Sequence, residues 1–469
     1  MSRVGGASAW GVLQSRRFAV SDAQEQPPGA SAGSPAEAAV DPGVLMRTRQ
    51  YRRLLVVSAV VGVVVSVASW GFLEVTHWLQ QWVYADLPHG LGLDPAPWWW
   101  PLPVLALAGV VIAFAVVRLP GHGGHDPSKG LASGPPITPA QVPGVVLAAV
   151  ATIGLGLVLG PEAPLLAMGT GVALFLVDRG RRPVPDQARM VIGAAGSFAA
   201  LATIFGSPIV GAVIIVEAAG LGGATLPVIL LPGLIAAGIG SLTFVGIGSL
   251  TGLSSSAYAL PPLKLPAYPT PRLTDFLWTI LLAVVAAVVV FLIMELGHRT
   301  RDVVARRPFL LHPAAAVVVG LLAIAFAEVT GQSSGAVLFS GQEEMSATVQ
   351  AAATVSMGAL ALLLVAKALA WGVSMGSARG GPAFPAMFLG LVGGLLASHL
   401  PGFAETPAIA ALVAAAVVVV LRLPLSAIIL ALLITQAGAG VAPLVIVAVA
   451  VAYLATLGLS GHLERAGPV

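Results

Sequence analysis

The sequence predicts an all-α polytopic membrane protein built from two inverted-topology repeats. Three observations predict it: a charge-poor apolar composition, a succession of short apolar segments bounded by Gly and Pro, and a motif pair that recurs about half a chain apart. Of 469 residues, 57% are hydrophobic and only 9% charged, with a mean hydropathy of +0.94. A soluble domain carries roughly 25% charged residues. The formal net charge is only +3, so a nucleic-acid partner is not expected. The chain has no cysteine, which excludes disulfides, thiolate metal sites and a cysteine nucleophile. The eight histidines include no metal-spaced pair on a helix, and neither a metal nor a cofactor is expected.

Apolar segments fall near 54–82, 100–118, 141–159, 163–178, 190–204, 208–221, 225–250, 273–296, 313–327, 355–377, 384–400, 408–421, 424–437 and 442–459. Several are shorter than the roughly 20 residues that a spanning helix needs. The chain holds 55 Gly and 36 Pro, many at the breaks. Interrupted helices of this kind belong to transporter and channel cores, where irregular backbone is buried in protein or lines a cavity. About 14–18 helices are expected, short re-entrant ones included.

Residues 1–50 are rich in Ala, Gly, Pro, Ser and acid and read as a disordered tail, with no secretory signal. Arg47, Arg49, Arg52 and Arg53 precede the first long apolar segment and place the N-terminus in the cytoplasm. Membrane repeat 1 is expected over 51–250 and a connecting loop over 251–272. Repeat 2 is expected over 273–460, followed by a short tail at 461–469 with no room for a soluble domain. The polar stretches 251–272 and 328–350 are expected to be extramembrane loops with short helices. HRTRDVVARRP, within 297–312, reads as a cytoplasmic loop.

The repeat rests on two motifs. GPEAPLLAMG at 160–169 and GPAFPAMFLG at 381–390 share the pattern G-P-x-x-P-x-x-x-x-G, 221 residues apart. Each is followed by a helix opened by proline, at Pro208 in SPIVGA and Pro424 in LPLSAI. Both pairs keep order and nearly one offset, which argues for a duplication. Repeats of this type commonly meet around an ion site formed by broken helices.

The chemistry follows from helix ends. A helix N-terminus carries unpaired N–H groups and partial positive charge, and so binds an anion without a full cation. Glycine lets backbone approach an ion, and proline is tolerated at the first helical position. The two G-P-x-x-P segments and the two later Pro-initiated helices are expected to supply four converging positive ends. Charges in the apolar core are few: Glu162, Glu217, Lys367, Arg379 and Arg422. An anion path suits that scarcity better than a cation path lined by carboxylates. Ionised, Glu162 would occupy such a site as a tethered anion; protonated or swung aside, it would open it.

These residues resemble the CLC family of chloride channels and chloride/proton antiporters. GPEAP (160–164) resembles the family's gating-glutamate motif. GGPAFP (380–385) resembles its G-G-x-F-x-P segment, RLPLSAIIL (422–430) its R-x-P-L-x-x-I-x-L, and GGHDP (123–127) stands in place of G-S-G-I-P. The resemblance covers roughly residues 50–460. It implies a homodimer in the plasma membrane with one pore per subunit, moving chloride or another small inorganic anion such as fluoride, with or without protons. Glu162 becomes the gate and proton candidate, and Gly124, Gly160, Pro161, Gly381, Ala383 and Phe384 the anion cradle. The departures are Gly124 for the family's serine, Pro161 for its basic residue, Pro382 where an N–H is expected, Phe384 one place late, and Ala218 where antiporters carry a proton glutamate. The pore tyrosine has no clear counterpart, Tyr453 being a mid-helix candidate at best.

The remaining singular residues read as structural. Glu217 is expected to pair with a cation such as Arg422. Arg422 itself reads as a helix-end anchor at the interface, and Lys367 as paired or snorkelling. His122 and His125 lie in a loop whose Asp126 caps the next helix. GQSSG at 331–335 matches a hydrolase nucleophile pattern but lacks the strand–turn–helix context and partners, so no enzyme is expected.

Overall fold

A computed structural model describes residues 42–131, 136–180, 184–223, 225–251, 260, 262–263 and 265–466. Most of the expected N-terminal tail (1–41), parts of the connecting segment and residues 467–469 lie outside the described residues. The described residues form seventeen α-helices and no strand, apart from one isolated bridge. In chain order, α1 (Pro42–Met46), α2 (Arg49–Gln81), α3 (Leu87–Gly90), α4 (Pro101–Arg118) and α5 (Val142–Gly154) lead to α6 (Glu162–Asp178). Then come α7 (Asp186–Phe205), α8 (Pro208–Ala218) and α9 (Thr225–Thr251). The rest of the chain forms α10 (Leu273–Val304), α11 (Pro308–Thr330), α12 (Glu344–Ala351), α13 (Met357–Ser377), α14 (Ala383–Ala397), α15 (Glu405–Leu421), α16 (Pro424–Thr435) and α17 (Ala442–Ala466). Eight helical stretches are long and apolar enough to cross a membrane, and five others are apolar but shorter.

The core lies where the short helices gather. Every residue of α15 from Thr406 to Leu421 is buried. A helix apolar on all sides has no wet face and belongs in the middle of a bundle. Around it pack α14, α10, α16 and α17. Small residues let backbones meet. A Cβ on Gly169 of α6 would stand 2.5 Å from the carbonyl oxygen of Gly196 on α7, so this crossing has room only for glycine.

Two loop expectations are corrected. The stretch 297–312 is helical almost throughout: α10 runs on to Val304 and α11 opens at Pro308, because Pro at the first position starts a helix as readily as a loop would. The connecting segment is also not a loop with short helices where it is described. Leu260, Leu263 and Leu265 are buried, and the backbone of Leu260, Leu263 and Tyr268 donates to carbonyls of Ile204, Ile434 and Ala437. It is an extended strap that satisfies the C-terminal carbonyl groups of α7 and α16. GQSSG is a helix stop: Gly331 ends α11 at φ +70°, and Ser333 Oγ accepts from Gly335 N at 3.1 Å.

Gly196→Leu should strain the α6–α7 crossing by about 1–3 kcal/mol or more, the cost of forcing bulk into a packed contact. Thermal unfolding in detergent should show a clear drop for this variant. Gly222→Ala, whose added carbon meets nothing within 4 Å, should unfold with the unsubstituted protein.

Candidate anion site

The two G-P motifs meet. Gly160 N donates to Gly381 O at 2.7 Å and Gly381 N donates back to Gly160 O at 2.6 Å, closing an antiparallel bridge. Each glycine is followed by a proline that caps a helix, Pro161 for α6 and Pro382 for α14. Two helix N-termini are thus set beside each other, each with backbone N–H groups that have no partner inside their own helix. A side chain on either glycine would collide: a Cβ on Gly160 would stand 2.8 Å from the Phe384 ring, and one on Gly381 would run into the Glu162 carboxyl group.

Glu162 lies across this junction and is fully buried. It is the first residue of α6, yet its Oε1 accepts from the first turn of α14: Ala383 N at 2.5 Å and Phe384 N at 3.4 Å. Oε2 has no hydrogen-bond partner among the described residues. Phe384 stacks on Phe205, ring centroids 5.7 Å apart. Apolar walls therefore surround a carboxylate held by backbone donors. That is an anion-binding arrangement with the anion supplied by the chain itself.

The other predicted residues fall into place unevenly. Gly124 adopts φ +99° and its N–H donates to Gly121 O at 2.8 Å, so it has no free donor to offer an ion in this conformation. Its loop is nevertheless tied to the junction. Arg379, next to Gly380, donates through Nε to His122 O at 3.3 Å. Asp126 caps the short 3-10 turn Pro127–Lys129 by accepting from Ser128 N at 3.0 Å, and Arg301 of α10 lies 3.4 Å from its carboxylate. Burial pushes the Asp126 carboxyl up, but the Ser128 hydrogen bonds and the charges of Arg379 and Arg301 outweigh it, leaving its pKa below the ordinary value.

The four expected helix ends do not meet at one point, because the N-termini of α8 and α16 are set apart. Glu217, near the far end of α8, places both carboxylate oxygens on the N-terminus of α16: Leu425 N at 2.8 Å, Ser426 N at 2.7 Å and Ser426 Oγ at 2.6 Å. α8 runs from Pro208 to Ala218, so its own N-terminus lies about 14 Å along the helix from Glu217. It is capped separately by Ser207. The expected Glu217–Arg422 pair does not form among the described residues. Arg422 is exposed, in a left-handed turn at φ +54° that ends α15. Backbone N–H groups satisfied Glu217 before any cation was needed. Lys367 is fully buried, donating to Ala336 O at 3.0 Å and Leu338 O at 2.8 Å with its ammonium 4.4 Å from the Phe388 ring centroid. Tyr453 sits half-buried within α17.

Paired helix N-termini inside an all-helical, membrane-crossing bundle, with a carboxylate held on their N–H groups, are an arrangement suited to an anion channel or transporter. Residues 128–457 match the family described as voltage gated chloride channel. The chain belongs to this family and is a multi-pass membrane protein of its transporter and channel class.

A relative in Escherichia coli (strain SMS-3-5 / SECEC), named "Putative ion-transport protein YfeO", is 28% identical over 389 residues, 80% of this chain and 86% of the relative. Its namesake in Salmonella choleraesuis (strain SC-B67) is 27% identical over 362 residues, 75% and 81%. The fold is similar to that of a slow cyanobacterial Cl−/H+ antiporter (TM-score 0.69, 19% identity, 88% of this chain and 98% of the other). It is also similar to a CLC-type fluoride/proton antiporter (TM-score 0.64, 18% identity, 86% and 95%).

Glu217→Gln exchanges charge-assisted hydrogen bonds for weaker neutral ones at a partly buried helix end, which should cost about 1 kcal/mol. The expected readout is a lower unfolding midpoint in detergent. Gly160→Ala should likewise lower it, because the Gly160–Gly381 bridge cannot close over a methyl group.

Proposed function

We propose that this protein moves a small inorganic anion, chloride first, across the plasma membrane through a pathway gated by Glu162. The observation that carries the reading is the Glu162 carboxylate on the N–H groups of Ala383 and Phe384, where a free anion would compete for the same donors. Protonation or displacement of Glu162 exposes them. Gly160, Pro161 and Gly381 hold the junction open, and Ala383 and Phe384 supply the donors. Gly124 serves the path through its loop. Arg422 anchors a helix end, and Glu217 locks α16. Few fixed cations border the junction, which suits an ion that must leave as readily as it arrives.

Ala218 and the fully engaged Glu217 favour a channel or uncoupled carrier, because neither offers a free carboxylate on a second proton step. A second reading, chloride/proton or fluoride/proton antiport, draws on Glu162 itself and on the antiporter fold shared with the two solved structures. The family resemblance supports a homodimer with one pore per subunit. Duplication supports two inverted halves, 51–250 and 273–460, between a tail at 1–50, the 251–272 connection and a tail at 461–469.

The positive-inside rule supports a cytoplasmic N-terminus. The C-terminal end of α2 lies beside the start of α4, since Trp100 Nε1 donates to Val83 O at 3.0 Å. Arg52 and Arg53 therefore share a face with Arg118 at the other end of α4. Arg301 reaches the loop after Arg118 through Asp126, which brings the four arginines of 298–308 to that face.

Purified protein in liposomes should pass chloride, with fluoride as the comparison ion and proton movement read in parallel. Absence of flux for both anions overturns the reading. Flux without proton movement selects the uncoupled mechanism, and proton movement at a fixed ratio selects antiport. Glu162→Gln should remove the pH dependence of flux from the acid to the neutral range, and an unchanged profile takes Glu162 out of the gate role.

A further inference from the structure

Two cavities open at opposite ends of α4, whose 18 residues span about 27 Å. One, of about 440 Å³, follows the α4 C-terminus and is lined by Ser128, Lys129, Ala218, His298, Arg422 and Leu423. The other, of about 230 Å³, lies at the α4 N-terminal end and is lined by His77, Gln80, Tyr84, Pro161, Glu343 and Glu344, among others. Pro161 puts its floor against the Gly160–Gly381 junction. Ser128 puts the first cavity against the Gly124 loop.

Their charges are unlike. Lys129 and Arg422 are exposed and make no ion pair among the described residues. The acids near that mouth are already engaged: Asp126 with Arg301, Asp302 with Arg301, Glu295 with Arg299, and Glu217 with the backbone of α16. Glu217 keeps its charge and Arg301 serves two acids, so Lys129, Arg422, Arg299 and Arg301 are matched one for one by these four acids, and Arg379 beside the Gly124 loop leaves this end with one net positive charge. At the other mouth stand Glu343 and Glu344. His77 lies 3.4 Å from Glu343, and the buried Lys367 offsets part of the Glu344 charge. The two acids against one buried lysine leave one net negative charge.

Resting on the anion-transport reading, we propose that the Lys129–Arg422 mouth is the loading side for the anion and the Glu343–Glu344 mouth its release side. A narrow mouth of one sign, with low-dielectric walls, raises the local concentration of opposite ions and their entry rate by about 10-fold or more. A mouth of the same sign lowers it and favours departure. The asymmetry acts on apparent affinity from each side. It leaves the equilibrium distribution of the anion unchanged, because fixed charge supplies no net work. Screening shortens its reach to about 8 Å at physiological salt, so it is strongest at low ionic strength.

The absence of native cysteine makes a clean test available in full-length protein reconstituted in liposomes. Lys129→Cys and, separately, Glu343→Cys are labelled with membrane-impermeant thiol reagents, one cationic and one anionic, added only outside. Only copies with the labelled mouth outward react. At low ionic strength, Lys129→Cys should raise the apparent KM for outside chloride several-fold. The cationic reagent should restore it, and the anionic reagent should raise it further. Restoration by charge alone also shows that the variant is folded. Glu343→Cys should lower the apparent KM on its own side, with reagent effects of the same sign order, and both effects should fade in high salt. Apparent KM values that ignore reagent charge at both mouths overturn this inference alone. Absence of any anion flux in the unsubstituted protein overturns the transport reading together with it.

Discussion

Everything in this molecule is arranged around one reciprocal pair of hydrogen bonds, Gly160 to Gly381 and back. Two chain segments 221 residues apart can approach that closely only if neither carries a side chain at the crossing, and only if each leaves it at once as a helix. The following prolines meet both needs. Each caps a helix and lacks a donor of its own, so no N–H is stranded at the turn. Fixing the bridge fixes where α6 and α14 begin, and so where their unpaired N–H groups point. The buried Thr152 and Ser374 reinforce it from either side, accepting from Arg379 N and Val158 N. A junction of bare backbone at membrane depth is tolerable because α15 and its neighbours enclose it.

Two carboxylates from the first half of the chain show what this arrangement selects. Each sits on the N-terminus of a helix from the second half, Glu162 on α14 and Glu217 on α16. Glu217 uses both oxygens in three contacts of 2.6–2.8 Å, one of them a side-chain hydroxyl. Glu162 uses one oxygen in one short and one long contact and leaves the other unpartnered. Hydrogen bonds to a charged group are each worth about 1.5–3 kcal/mol. Glu217 is therefore tied down as a structural cap, while Glu162 is held by little more than a single backbone donor. The proposed gate requires a carboxylate held this loosely.

Much of this was legible in the sequence. Composition and segment length gave the class, and the duplicated G-P-x-x-P motif located the junction, because backbone exposure at membrane depth needs Gly and Pro whatever the surroundings. Glu162 stood out since a lone carboxylate there has to serve a purpose. Charge alone is a poor guide to partners here. It pairs Glu217 with Arg422, whereas the N–H groups of Leu425 and Ser426 are nearer and already polarised. The signal lay in LPLS at 423–426, a helix start with no acidic residue of its own to cap it. The fate of Gly124 was hidden for a different reason. Its family counterpart offers a side chain, and the local turn that ties its N–H to Gly121 depends on four glycines and histidines with no periodicity to read. The mouths were invisible because His77, Glu343 and Glu344 come from distant parts of the chain.

The missing serine, the missing basic residue before Glu162 and the proline at 382 share a direction. Each leaves the proposed anion site one donor or one positive charge short of the family pattern. Yet Arg379, Arg301, Lys129 and Arg422 gather a short way off, on the loop and helix ends that lead to the junction. On the proposed path, positive charge stands at the approach rather than at the binding point. A charge at the binding point deepens the well and slows release, while a charge at the approach raises the arrival rate and leaves the well shallow. On the proposed reading a lean site of this kind needs no strong gate, and a carboxylate held through one oxygen would close it.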